Sequence, residues 1–187
     1  MTTREQRKLI RSKIEAGAAP QQVYDELHGQ ANAADEELAD RVRDVPTLER
    51  RAQYRTQQWM LLGLLVLDVA WKLGVALPAD AQKGWPGVVF QSAFTLVILL
   101  ILWGVARFGR RAHSTAAIIA FLQLTYSGGP ATDIGAKDVL MTVVFAAAAI
   151  LGLYLQRKLT PDYIIIKEHY KNADGQARMR RVVRFGD

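Results

Sequence analysis

Two opposite charges, Asp68 and Lys72, stand one helical turn apart inside a run that is otherwise almost wholly apolar, WMLLGLLVLDVAWKLGVAL. An ionisable side chain near the middle of a bilayer costs about 2.5 to 3.5 kcal/mol on insertion scales, so such residues turn toward protein or water and often mark function. At i, i+4 on a helix the ammonium reaches the carboxylate and offsets part of that cost. Two readings follow. One is a self-neutralising structural pair with Lys72 reaching toward the interface; the other is a polar pathway or ligand contact. A second candidate stretch is AHSTAAIIAFLQLTY, whose His113 and Gln123 sit in a segment polar enough to belong inside a bundle. His113 adjoins Arg111, which suits an interfacial imidazole or a proton relay. Gln123 can bond across helices or line a pore. Asp68, Lys72, His113 and Gln123 are therefore the candidate intramembrane polar site.

Enzymatic templates find no footing. The three histidines, His28, His113 and His169, lie far apart, no HExxH or paired metal-ligand spacing occurs, and the absence of cysteine removes thiolate chemistry and disulfides. Ser127-Gly128-Gly129 lacks the context of a nucleophile elbow. No catalytic residue, cofactor site or metal site is expected.

The net charge of +6 invites comparison with a nucleic-acid binder, but 18 of the 24 Lys and Arg lie before Gln58 or after Leu155. Up to Gln57 the 10 basic residues are matched by 10 acidic ones. The helix pair KLIRSKIEAG and PQQVYDEL superficially suggests a DNA reader, yet its second helix has Asp25 and Glu26 and no Lys or Arg. The charge follows membrane topology, and no nucleic-acid partner is expected.

About 20 apolar residues cross a hydrocarbon core about 30 Å thick. Four stretches qualify as candidate spans, about 58–77, 87–106, 112–127 and 139–155, within a membrane domain of 57–156. The first is expected to stop at Pro78, the second carries no charge, and the third is the shortest and could be a re-entrant hairpin. Because no breaker interrupts LERRAQYRTQQWMLL, the helix before the first span should run straight into it. Basic residues cluster at Arg50, Arg51 and Arg55, at Arg107, Arg110 and Arg111, and at Arg157 and Lys158, while the opposite loops hold only Lys83 and Lys137. Four crossings with both ends cytoplasmic satisfy this positive-inside alternation. With no apolar leader before Gln57, the first span itself should direct insertion into the cell (inner) membrane. Ala148 and Gly152 form a small-xxx-small step in the fourth span, a contact within the chain or between subunits.

The ends read as structured. Residues 1–56 suggest a cytoplasmic helical module. Leu9, Ile10 and Ile14 recur at helical spacing, and Gly17 with Pro20 marks a stop and a restart. Val23 with Leu27 and Leu38 with Val42 pair at i, i+4, Gly29 and Asn32 bound the segments between, and Pro46 ends the last. In 157–187, the β-branched and aromatic DYIIIKEHYK and the alternating ARMRRVVRF flank the turn sequence Asn172-Ala173-Asp174-Gly175, the pattern of a β-hairpin. A lone hairpin is marginal in water, so it should pack on the N-terminal helices, a neighbouring subunit or the membrane surface. Its Lys167, Lys171, Arg178, Arg180, Arg181 and Arg184 are candidate lipid-surface contacts, or a solvated strand face.

The expectation is an all-α integral membrane protein: a four-helix transmembrane bundle with a small cytoplasmic N-terminal helical module and a C-terminal cytoplasmic β-hairpin. It would work without catalysis as a homo-oligomer or as a subunit of a larger membrane complex. Its partners would be the lipid bilayer and either itself or another membrane protein. A small channel or transporter built on Asp68 and Lys72 is the alternative.

Overall fold

The computed structural model describes residues 2–28, 35–82, 84–126, 135–171 and 177–186, and of Asp35, Asp80, Tyr126, Ala136 and 168–181 the backbone only. The expected boundaries at Gly29 and Asn32, the turn at 172–175 and the Ser127-Gly128-Gly129 stretch lie outside the described residues, as does Lys83. Among the described residues the chain is mostly helical, with one two-stranded sheet. It divides into two compact units, one of Met1–Arg51 with Leu159–Asp187 and one of Ala52–Lys158.

The first unit joins both ends of the chain. Helix α1 (Thr3–Glu15) begins with a capping box, Thr2 and Glu5 each bonding the other's backbone N–H. It ends at Gly17, whose φ of 93° supports a Schellman closure: Gly17 N–H donates to the Ile14 carbonyl and Ala18 N–H to that of Lys13. Helices α2 (Pro20–His28) and α3 (Asp35–Arg43) follow. Strands β1 (Tyr163–Lys171) and β2 (Ala177–Phe185) pair antiparallel from Tyr163 opposite Phe185 to Lys171 opposite Ala177. Val183 is buried in one cluster with Ile10, Ile14, Val23, Leu27, Leu38 and Val42. Of the three supports expected for the hairpin, the N-terminal helices therefore provide one.

Polar contacts fix that docking. The Gln21 amide accepts from Phe185 N–H at 2.9 Å and donates to the Val183 carbonyl at 3.4 Å. The Tyr163 hydroxyl donates to Asp40 Oδ1 at 3.0 Å. Partial burial, with Asp40 accepting, pushes the Tyr163 phenol above its ordinary pKa. Arg50 donates to the Thr160 carbonyl at 2.6 Å. Glu15 takes Arg11 at 2.9 Å and Arg51 at 3.4 Å, and the Arg11 hydrogen bond leads in holding its carboxyl below the usual range.

Helix α4 (Leu48–Gln53) ends at Tyr54, where φ −101° and ψ 17° leave the helical region before α5 (Arg55–Trp71) starts. The unbroken rod expected from Thr47 onward is thus interrupted. The expected stop at Pro78 is also absent. Helix α5 passes into a π-helical turn, Lys72–Ala76, and then α6 (Leu77–Ala81), with Leu77 N–H bonded five residues back to the Lys72 carbonyl. Pro78 has no N–H to give the Gly74 carbonyl, and the wider π turn absorbs that loss without ending the helix.

Helices α7 (Trp85–Ala106), α8 (Arg110–Tyr126) and α9 (Ala136–Leu159) complete the second unit. Among the described residues, three helical stretches are long and apolar enough to cross a bilayer: Arg55–Ala79, Trp85–Ala106 and Lys137–Leu159. Helix α8 is not one of them. It has 17 residues, and it spends part of that length on Arg110, Arg111, His113, Ser114, Thr115 and Gln123.

The turn from α7 to α8 repeats the Schellman pattern of Gly17, with Gly109 N–H donating to the Gly104 carbonyl and Phe108 N–H to that of Val105, both at 2.9 Å. Here the left-handed position, φ 57°, is held by Phe108. A side chain in this region costs about 1 to 2 kcal/mol, which glycine avoids. Phe108→Gly should therefore stabilise the protein by about 1 kcal/mol, seen as a higher thermal midpoint in detergent. A lower midpoint would mean that the contacts of the partly buried ring outweigh the strain.

Candidate functional site

One face of each long helix in the second unit is buried at a spacing of three and four residues. On α5 and its π turn that face is Gln58, Leu61, Leu65, Asp68 and Lys72; on α7 it includes Gln91, Thr95, Ile98 and Val105. On α8 it includes His113, Ala116, Ala120 and Gln123, and on α9 Met141, Val144, Ala148 and Leu155. A three-and-four spacing is that of a helix face packed against other helices. Its peculiarity is chemical: the apolar seam is interrupted at two levels by polar side chains.

At one level, Lys72 Nζ lies 2.8 Å from Asp68 Oδ1, with both side chains buried. Gln123 Nε2 on α8 donates to Asp68 Oδ2 at 3.2 Å. The ammonium also faces the rings of Phe94 on α7 and Phe145 on α9, 5.2 and 5.5 Å from their centroids, within the range of cation–π attraction. The Asp68–Lys72 contact is a close ion pair rather than an aligned hydrogen bond, since Asp68 Oδ1 receives no N–H in hydrogen-bonding geometry. Asp68 and Gln123 border a cavity of about 10 Å³, otherwise walled by Leu64, Ile98, Ala120 and Ala148. That volume is about one water-sized sphere.

At the other level, His113 is fully buried. Its Nδ1 is 2.8 Å from the Gly109 carbonyl and its Nε2 is 2.7 Å from Gln58 Oε1. Gln58 is itself oriented, because its Nε2 donates to the Val105 carbonyl. Both ring nitrogens thus face acceptors. A neutral imidazole can donate at only one of them, whereas an imidazolium donates at both. The network ties α5 to the α7–α8 turn, whose carbonyls at Val105 and Gly109 it uses.

The two levels share a geometry. Gln58 meets His113 and Asp68 meets Gln123, each pair 55 residues apart in sequence, so α5 and α8 run parallel and are clamped twice. The clamps lie ten residues apart along each helix, about 15 Å at 1.5 Å per residue. Buried Leu61, Leu65, Ala116 and Ala120 fill the interval. Of the four expected site residues, Asp68, Lys72 and Gln123 are brought together, while His113 stands apart with Gln58. Gln58, Gln91 and Thr95 went unrecognised in the sequence. The ten-residue spacing shared by Gln58–Asp68 and His113–Gln123 was the signal that could have found the first.

Ala148 and Gly152 lie where α9 meets α8. A Cβ on Gly152 would come within 3.0 Å of the His113 carbonyl oxygen and 3.1 Å of Ala117 Cβ. Among the tail residues, Lys167 and Arg184 are exposed, whereas the side chains of Lys171, Arg178, Arg180 and Arg181 lie outside the described residues.

Comparison of the chain with protein-family profiles, with curated proteins and with solved structures returns no match.

Proposed function

We propose that this is a four-span protein of the cell inner membrane, with both ends cytoplasmic, that acts without catalysis as a homo-oligomeric or complex subunit. The unit formed by its two ends would be its docking surface. The observation that carries this reading is parity. Residues before the first span and after the last share one core, through Val183 against Ile10, Ile14 and Val23 and through Gln21 on Phe185. Three crossings would leave those two stretches on opposite faces of the bilayer, and four leave them on the same face. Parity thus supports α8 as a crossing, although its composition falls short. Part of the shortfall lies in the buried seam, where His113 and Gln123 face protein, while Ile118, Phe121 and Leu122 on the outer face of α8 are exposed and apolar.

The outer surface agrees. Trp85 and Trp103 are 76 % and 59 % exposed near opposite ends of α7, and 18 residues at 1.5 Å place them about 27 Å apart along the axis. Aromatic belts mark the two interfaces of a core about 30 Å thick. Between them Phe90, Leu96, Leu99 and Leu100 are exposed, which suits lipid and not water.

A second reading, a small channel or transporter, draws on the buried Asp68, Lys72 and Gln123. Against it stands the buried apolar layer of Leu61, Leu65 and Ile98 between the two polar levels. Native mass measurement in lipid nanodiscs tests the subunit reading: a defined oligomer or co-purified membrane partner is expected, and a monodisperse monomer that recovers no partner would overturn it. Ion flux in reconstituted vesicles, lost on Asp68→Asn or Lys72→Met with folding intact, would establish transport instead.

A further inference from the structure

The strand register sorts the basic residues of the tail by face. Alternate positions along a strand belong to opposite faces, so by backbone register the positions of Ile164, Ile166, Glu168 and Tyr170 in β1 share a face with those of Arg178, Arg180, Val182 and Arg184 in β2. The opposite face carries Tyr163, Val183 and Phe185, which pack on the N-terminal helices. Lys167, Lys171 and Arg181 occupy positions on that second face. Helices α1 to α3 cover the second face at Tyr163, Val183 and Phe185, whereas Ile165 farther along it is 41 % exposed, and Ile166 and Val182 are half-buried on the first face. Ile164 on it is 62 % exposed, and Arg184 beside it is exposed.

We infer that this outer face of the hairpin docks on anionic phospholipid, resting on the reading of the two-ended unit as a cytoplasmic docking surface. Its composition is what an anionic interface recognises. Three arginines stand in one row of β2 against a single glutamate opposite, interleaved with Ile164, Ile166, Val182 and Tyr170. The guanidinium groups meet lipid phosphates in paired hydrogen bonds, and the aliphatic side chains enter the boundary between headgroups and acyl chains. Covalent reach agrees, since α9 ends at Leu159 and β1 starts at Tyr163. Four Cα steps of 3.8 Å hold the base of the hairpin within about 15 Å of the end of a membrane-spanning helix.

The chain has no cysteine, so Ile164→Cys and, as a reference on α1, Lys8→Cys each give a single labelling site in the full-length protein. A polarity-sensitive fluorophore is read in nanodiscs of phosphatidylcholine, with and without phosphatidylglycerol. The expected result is an apolar shift at position 164 only, in the anionic discs only, reversed by salt. Arg178→Gln, Arg180→Gln and Arg184→Gln should each lower the docking equilibrium constant about fivefold, from the usual contribution of a basic residue near an anionic surface, and about a hundredfold together. A label at 164 that reports water in both lipids, or the same shift in both, overturns the inference. So does a shift that appears only on adding an acidic protein. Labelling of both cysteines by a membrane-impermeant thiol reagent in vesicles of known orientation reports topology separately. Failure of lipid docking with both sites on one face leaves the four-span reading standing.

Discussion

Asp68→Leu should be among the most damaging single substitutions in the protein, costing about 3 to 5 kcal/mol. Lys72→Met should cost a similar amount, while the double variant recovers most of the loss. The carboxylate and ammonium are buried together, 2.8 Å apart, so removing either leaves the other as an uncompensated charge among Leu65, Phe94 and Phe145. Gln123 cannot rescue a lone Asp68, because one amide donor replaces little of a lost cation. Nor do the rings of Phe94 and Phe145 replace a carboxylate for a lone Lys72, since cation–π attraction contributes about 2 kcal/mol when desolvated. Replacing both charges with apolar groups of similar volume removes the desolvation cost along with the attraction, which is why buried pairs are often near neutral when deleted whole. The measurement is thermal unfolding in detergent for the two single variants and the double, with the interaction energy taken from the cycle. Additive losses would sink the idea that the pair is a unit. The same variants separate the two functional readings. A double variant that folds and keeps its oligomeric mass fits a structural pair, and one that folds but loses ion flux fits a transport site.

What the residues disclosed in advance follows from the range of the interactions involved. The charge-free stretch 87–106, the β-branched and aromatic DYIIIKEHYK and the alternating ARMRRVVRF are local patterns, and α7 and the hairpin appear where those patterns stand. Asp68 with Lys72 was legible because its partner is one turn away. Gln58 was not, because its partners His113 and Val105 are 55 and 47 residues distant and a glutamine at the edge of a span reads as an interface residue. The π turn at Lys72–Ala76 was hidden by a sound rule, that proline ends helices. That rule counts the lost N–H and omits the re-registration that a helix can make around it. The break at Tyr54 has no proline or glycine to announce it. The joining of the two ends rests on Val183 reaching a core made more than 140 residues earlier, a contact that no local periodicity encodes.

Gly152→Leu should be comparably damaging, about 3 kcal/mol, because it overpacks a contact between backbones and not between side chains. An added Cβ would already stand 3.0 Å from the His113 carbonyl oxygen and 3.3 Å from the Ala117 amide nitrogen. Those atoms belong to the spine of α8, so they yield only if the helices separate. Gly152→Ala adds the Cβ alone, and its contacts at 3.0 to 3.3 Å require a shift of a few tenths of an ångström. The helix-propensity gain of alanine over glycine, about 0.5 to 1 kcal/mol, offsets much of that, so a small net change is expected. The steep rise from alanine to leucine is the signature of close approach. Its readout decides a question that the small-xxx-small pattern leaves open. If Gly152 serves the fold within one chain, leucine lowers the thermal midpoint at every protein concentration and disturbs His113 and Gln58, whose network shares the α8 turn at which α9 leans. If it serves a contact between copies, the monomer stays as stable as before and only the oligomer dissociates in native mass measurement. The 3.0 Å approach to α8 of the same chain makes the first outcome the expected one.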